Sequence, residues 1–120
     1  MITASFSGLL TIFLGGGIGA SLRFIFSNLI NNFSGKIWTG TLFVNLLGCL
    51  IYFILSSSFQ ELRPSYQLLL KTGLLGSLTT FSTFSFEVVT LLKSGRVLEG
   101  LSVLALNVVF GIVIGIWVLK

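Results

Sequence analysis

Four long apolar runs are separated by three short polar joins. The first run, Thr3 to Ser27, is interrupted only by Arg23 near its end. The second, Trp38 to Phe59, carries no charge; the third, Tyr66 to Leu92, holds Lys71 and Glu87; the fourth, Val97 to Leu119, has Glu99 near its start. A helix needs about 20 mostly apolar residues to cross the hydrocarbon core, so each run predicts a transmembrane helix. Asn28, Asn31, Asn32, Ser34, Gly35 and Lys36 mark the first join. Gln60, Glu61, Arg63 and Pro64 mark the second, where the proline suits a turn just ahead of a helix. Lys93, Ser94, Gly95 and Arg96 mark the third. The prediction is one all-α membrane domain over residues 1–120, with four spans and both termini on one side. The first run has no basic leader and no small-residue cleavage pattern, so it is expected to stay as structure rather than act as a signal peptide.

Composition agrees with that reading and removes several chemistries. Charged residues make up 8% of the 120, against roughly 25% in a soluble domain. There is no histidine, the acids are Glu61, Glu87 and Glu99, and Cys49 is the lone cysteine. Nucleophile–base pairs, zinc sites and carboxylate dyads therefore lack parts, and no intrachain disulfide can form. No catalytic residue is expected. The net charge of +4 lies at the joins and suits lipid headgroups rather than a nucleic-acid patch.

Lysine and arginine normally mark the cytoplasmic side. Here Arg63, Lys71 and Lys120 fall on one side and Arg23, Lys36, Lys93 and Arg96 on the other, three against four. So even a balance predicts insertion in both orientations and pairing of inverted copies; the alternative is that a weak bias fixes one orientation. Four helices pack solidly and leave little room for an aqueous path, so a pathway would need the second copy. Gly15 with Gly19, and Gly111 with Gly115, are small-xxx-small pairs. They serve either that pairing or packing inside one chain. Trp38 and Trp117 stand at span ends, as interfacial belt residues do.

The stretch GSLTTFSTFSFE, Gly76 to Glu87, departs from the pattern around it. One or two hydroxyls on a lipid-facing helix carry no signal, because each can bond its own i−4 carbonyl. Thr79, Thr80, Ser82, Thr83 and Ser85 put five within residues 79–85, behind Gly73 and Gly76, and spread almost all round a helix. This predicts an interruption near the middle of the third span. Irregular backbone at membrane depth persists only where protein or a watery cavity satisfies it. The freed carbonyls would suit a hard cation. The alternative is a continuous buried helix whose hydroxyls satisfy themselves. Phe81 and Phe84 share a face among these hydroxyls, and an aromatic edge is partly positive, so it can meet an anion. Asn45, in GTLFVNLLG, and Asn107 are mid-span amides, each either an interhelical strut or a donor facing a cavity. Arg23 either snorkels to the headgroups or puts positive charge at a pore mouth.

Three stretches, GGIGASLRF (Gly16 to Phe24), GTLFVNLLG (Gly40 to Gly48) and TTFSTFSFE (Thr79 to Glu87), resemble the signature segments of the Fluc/CrcB fluoride channels. The resemblance implies antiparallel dimers with two fluoride pores and a central structural sodium ion. By motif position, Phe81 and Phe84 would line the pores edge-on, Asn45 would donate to the ion, and Ser82 and Thr83 would supply hydroxyls. The carbonyls of Gly76 and Thr79 would hold sodium. Arg23 and Glu87 would belong to the vestibule. Asn107 stands where a pore-facing serine is common, Ser77 where a second glycine is common, and Phe53 where the second span often has glycine. The implied function is passive fluoride export across the inner (plasma) membrane, with fluoride, lipid and a second inverted copy as partners and no nucleic acid. Two rivals remain: a small proton-coupled exporter, for which Glu87 is the only candidate carboxylate and lies late in its span, and a non-transporting assembly subunit.

Overall fold

The computed structural model describes residues 5–120, and every regular element among them is helical. Helix α1 spans Phe6–Ser34 and α2 spans Thr39–Ser58. The third span has two parts. Helix α3, residues 64–78, starts with Pro64 in its first turn, widens to π-helical winding over Leu68–Leu75 and closes with Gly76–Leu78. Helix α4 is Phe81–Lys93. Helix α5, Val97–Val118, carries one wide turn at Leu106–Phe110. Each of the four spans is long and apolar enough to cross a membrane. The protein is thus an all-α, multi-pass membrane protein.

The first span differs from expectation at its C-terminal end. Thr3 and Ala4 lie outside the described residues, and the helix runs on past Ser27 to Ser34. The asparagines that mark the first join in sequence are helical. The Asn28 amide donates to the Phe24 carbonyl at 2.7 Å, and Asn31 Oδ1 accepts from the Gly40 N–H at 2.7 Å. Asn31 therefore holds the start of α2, and the turn proper is made by Gly35 at φ 69°, left-handed backbone that glycine adopts without strain.

Packing is inside-out relative to a soluble domain. Phe6, Phe13, Phe24 and Phe33 stand outward with most of their surface open, as lipid-facing side chains do. The interior is built from close backbone approach. A Cβ at Gly15 or Gly19 would run into the carbonyls of Leu69 or Leu74, and one at Gly73 would meet the Ile12 carbonyl at 2.8 Å. The Gly15–Gly19 pair is thus taken up between α1 and α3. Gly111 and Gly115 face Cys49 and Phe53 of α2, so that pair too packs within the chain. Phe53, the bulky departure in the second span, fits because residue 115 is glycine. Ser77, the other small-residue departure, sits against Gly16.

Two apolar clusters complete the core: Val44, Leu75 and Leu78 in one, and Trp38, Phe84, Val88, Leu91 and Val103 in the other. Trp117 is exposed at its span end, as a belt residue should be, whereas Trp38 is only 9% exposed and points inward. Its burial follows from a partner: the indole N–H donates to Glu99 Oε1 at 2.7 Å.

Candidate functional site at the Thr79–Thr80 segment

Thr79 (φ −85°, ψ 154°) and Thr80 (φ −150°, ψ 123°) are extended and lie between α3 and α4. Leaving the helix there removes backbone partners, and side chains replace them. Thr80 caps α4: its Oγ1 accepts from the Thr83 N–H at 3.2 Å, the N-cap bond that serine and threonine favour. Asn45 then grips the Thr80 peptide from α2. Its Oδ1 accepts from the Thr80 N–H at 2.8 Å, and its Nδ2 donates to the Thr80 carbonyl at 3.1 Å. Thr79 satisfies itself, its Oγ1 donating to the Leu75 carbonyl at 3.0 Å.

In an unbroken helix the Gly76 carbonyl would accept from the Thr80 N–H, and the Thr79 carbonyl from the Thr83 N–H. Both donors are engaged elsewhere, by Asn45 Oδ1 and by Thr80 Oγ1. Gly76 is exposed and Thr79 half-buried, so two backbone oxygens without helical donors stand three residues apart, near the surface of the chain. Hard oxygen donors of this kind fit an alkali cation. No grouping of three or more His, Cys, Asp or Glu residues suited to a metal exists among the described residues.

Asn45 also reaches α5. Its Nδ2 donates to Asn107 Oδ1 at 2.9 Å, and Asn107 Nδ2 donates to the Val103 carbonyl at 3.0 Å. The chain is anchored at both ends by backbone groups that can play only one role. Val103 offers an acceptor and the Thr80 N–H is a donor, so the orientation of both amides is fixed. A cavity of about 280 Å³ opens beside this relay, lined by Asn45, Thr80, Phe81, Phe84 and Asn107 with Cys49, Thr79 and Val108. The two rings meet edge to face, with centroids 5.7 Å apart and planes at 69°. Phe84 is 5% exposed and Phe81 78% exposed, so one ring belongs to the core and the other stands on the outer face of the chain.

A second cavity, about 230 Å³, lies against the other side of Thr80. Arg23, Thr41, Thr83 and Glu87 share it, so the two expected vestibule residues and one of the expected hydroxyls come together. Glu87 is buried and accepts from Thr41 Oγ1 at 2.6 Å, while its Oε2 has no partner among the described residues. Ser82 is exposed and lies 3.3 Å, Oγ to Oγ, from Thr80. Sequence reasoning missed Thr41 and gave Thr80 no role of its own. Thr41 stands one helical turn before Asn45 on the same face of α2, and that spacing was the available signal.

Comparison with known proteins identifies the family. The family model described as CrcB-like protein, Camphor Resistance (CrcB), matches residues 10–118. The chain belongs to the CrcB family. Among curated CrcB relatives, the fluoride-specific ion channel FluC of Serratia proteamaculans (strain 568) is 46% identical over 104 residues, covering 84% of this chain and 82% of that protein. FluC of Haemophilus influenzae (strain PittGG) is 43% identical over 119 residues, 93% of this chain and 92% of that one. FluC of Methanococcus aeolicus is 43% identical over 102 residues, 83% and 82% of the two chains. The CrcB match includes both sides of the Thr79–Thr80 segment, α2 and α5, and every residue that lines the two cavities lies inside it.

Proposed function

We propose that this CrcB-family protein is a passive fluoride channel, not an enzyme, and that it works as an antiparallel homodimer in the plasma (inner) membrane. The observation that carries the reading is the cavity where the amide of Asn45, the edge-to-face pair Phe81 and Phe84, and Asn107 converge on the Thr79–Thr80 segment. That cavity opens on the outer face of the chain, beside the exposed Phe81 ring. A second copy would supply the missing wall, and the near-even spread of basic residues suits two inverted copies.

Burying a bare anion costs tens of kcal/mol by Born estimates. Aromatic edges return only about 1 kcal/mol each, whereas a hydrogen bond to a charged group returns about 1.5–3 kcal/mol. The rings therefore shape and exclude, while hydrogen-bond donors carry the larger share, with residual water: the hydroxyls of Ser82 and Thr83, and Asn45 as its amide turns an N–H from Asn107 to the passing ion. Asn107 lends its amide to the same path. Arg23 beside Thr83 and Glu87 draws anions toward the mouth. In the dimer the freed carbonyls of Gly76 and Thr79 hold a structural sodium ion at the centre, which ties the two interrupted spans together. Hydrogen fluoride enters neutral and ionises inside. The membrane potential then contributes about 2.3 kcal/mol per charge per 100 mV toward anion exit, so no coupled proton is needed.

Fluoride efflux from liposomes tests the reading. The wild-type protein should pass fluoride electrogenically without proton coupling, and Phe81→Ile and Phe84→Ile should assemble yet lose flux. Full flux in both variants would defeat the pore assignment. Proton-coupled flux would favour an exporter, and silence an assembly subunit.

A further inference from the structure

Helices α2 and α5 rise side by side in the same direction, and four pairs of positions meet along them. Trp38 meets Glu99, Asn45 meets Asn107, Cys49 faces Gly111, and Phe53 covers Gly115. The first two pairs are hydrogen-bonded. They sit seven residues apart on α2 (38 to 45) and eight apart on α5 (99 to 107). That is about 10.5 and 12 Å of rise, closely matched. Between them lie Leu42, Val103 and Leu106, which fit several registers; beyond them the Phe53 ring needs a glycine opposite, and Gly111 and Gly115, one turn apart, both offer one. Apolar contact between membrane helices is non-directional and the glycines allow a slip of one turn, so the polar pairs choose the height of α5 on α2.

The two polar pairs are not equal in this respect. Asn107 and Asn45 each bond backbone carbonyls as well as one another. The Trp38 indole has a single donor and no acceptor. Its only partner is a carboxylate whose other oxygen is held by Arg96, with Nε at 2.8 Å and Nη2 at 2.6 Å. Lys36 Nζ lies 5.2 Å over the ring and holds its face. We propose that Glu99 is a positioning residue that acts through Trp38 to fix the register of α5 on α2, so that Asn107 meets Asn45 beside the Thr79–Thr80 segment. The functional consequence rests on the channel reading above; the register itself does not.

Native Cys49 offers a direct readout. A Cβ at residue 111 would lie 3.5 Å from Cys49 Sγ. The full-length Gly111→Cys protein in liposomes, treated with copper phenanthroline, should rapidly lose both thiols to a maleimide–polyethylene glycol label in its monomer band. Adding Glu99→Ala should slow this loss about tenfold, and Trp38→Phe should slow it equally. The Trp38→Phe/Glu99→Ala pair should be no slower than either alone. Glu99→Gln, which keeps an acceptor oxygen for the indole, should restore the parent rate. Half-saturation of fluoride efflux, measured without Gly111→Cys, should shift about threefold lower in Glu99→Ala, as loss of the Asn45–Asn107 bond itself does, and recover in Glu99→Gln. Unchanged cross-linking in both Glu99→Ala and Trp38→Phe would overturn the proposal, as would additive effects in the double variant. If Glu99→Ala does not assemble, Trp38→Phe, which keeps an aromatic ring while losing the indole N–H and part of its bulk, decides the matter: the parent cross-linking rate there overturns the proposal. Cross-linking that behaves as stated in a protein without fluoride flux would overturn the channel reading and leave the register standing.

Discussion

The third and fourth spans both depart from regular winding, yet only the third gives up its backbone bonds. In α5 the residues bounding the wide turn stay helical, Ala105 at φ −62°, ψ −44° and Gly111 at φ −58°, ψ −44°. Asn107 inside that turn merely adds a bond to the Val103 carbonyl. Between α3 and α4, Thr79 and Thr80 are fully extended. The difference lies in the available substitutes. Thr80 has a capping hydroxyl for Thr83 and an amide from another helix for its own peptide; nothing comparable reaches the backbone of α5. An interruption in an apolar span is stable where a second helix takes over the orphaned groups, and Asn45 is that second helix's contribution.

Removing Asn45 should therefore erase the contrast, and it is the largest effect expected. Asn45→Leu strands the Thr80 N–H, the Thr80 carbonyl and Asn107 Oδ1 together. Each stranded group costs about 1–3 kcal/mol. The cheapest repair is for the Thr80 N–H to return to the Gly76 carbonyl, winding α3 and α4 into one helix and closing the cavity. Fluoride efflux from liposomes should fall by at least about a hundredfold, the rate equivalent of roughly 2.7 kcal/mol. Wild-type efflux in Asn45→Leu would mean that the extended segment holds itself.

Thr80→Val sharpens the same comparison with a smaller expected loss. Valine keeps the shape and the extended preference but has no cap, which is worth about 1 kcal/mol. The Thr83 N–H is then free to turn back to the Thr79 carbonyl, one of the two oxygens proposed for sodium. The thermal midpoint of the purified protein should drop, and more sodium should be needed to restore it. A drop that sodium repairs at wild-type concentration would show that the cap and the carbonyl are independent.

These contrasts show what one chain discloses by itself. The four spans were legible because hydropathy alone specifies them; of the hydroxyl cluster only Thr79 and Thr80 are extended, while Ser82, Thr83 and Ser85 are helical. Gly15 and Gly111 stood out as packing glycines, but which helices they join was not readable, since that depends on faces meeting across the fold. The end of α1 was misjudged because Asn28 and Asn31, read as loop formers, have partners at Phe24 and Gly40 that keep them helical. Trp38 looked like a belt residue because its partner, Glu99, is distant in sequence. Asn45 and Asn107 were each conspicuous, yet their pairing required knowing the register of α2 on α5. Thr41 with Glu87 was hidden for the same reason.

Asn107→Ser is expected to have the smallest effect and to separate the two spans most cleanly. Serine is too short to accept from Asn45 while bonding the Val103 carbonyl, so the 2.9 Å link is lost. A hydrogen bond between membrane helices is worth about 0.6 kcal/mol on average, which is about a threefold change in any equilibrium it governs. The backbone of α5 does not depend on the Asn107 side chain, and the Thr80 peptide keeps both of its bonds to Asn45. The freed Asn45 N–H then points into the cavity with no protein acceptor, a vacant donor for an anion. Half-saturation of efflux should accordingly shift to lower fluoride concentration by about threefold, with thermal stability reduced only slightly. A collapse of efflux comparable to that of Asn45→Leu would show that α5, and not α2 alone, keeps the third span open.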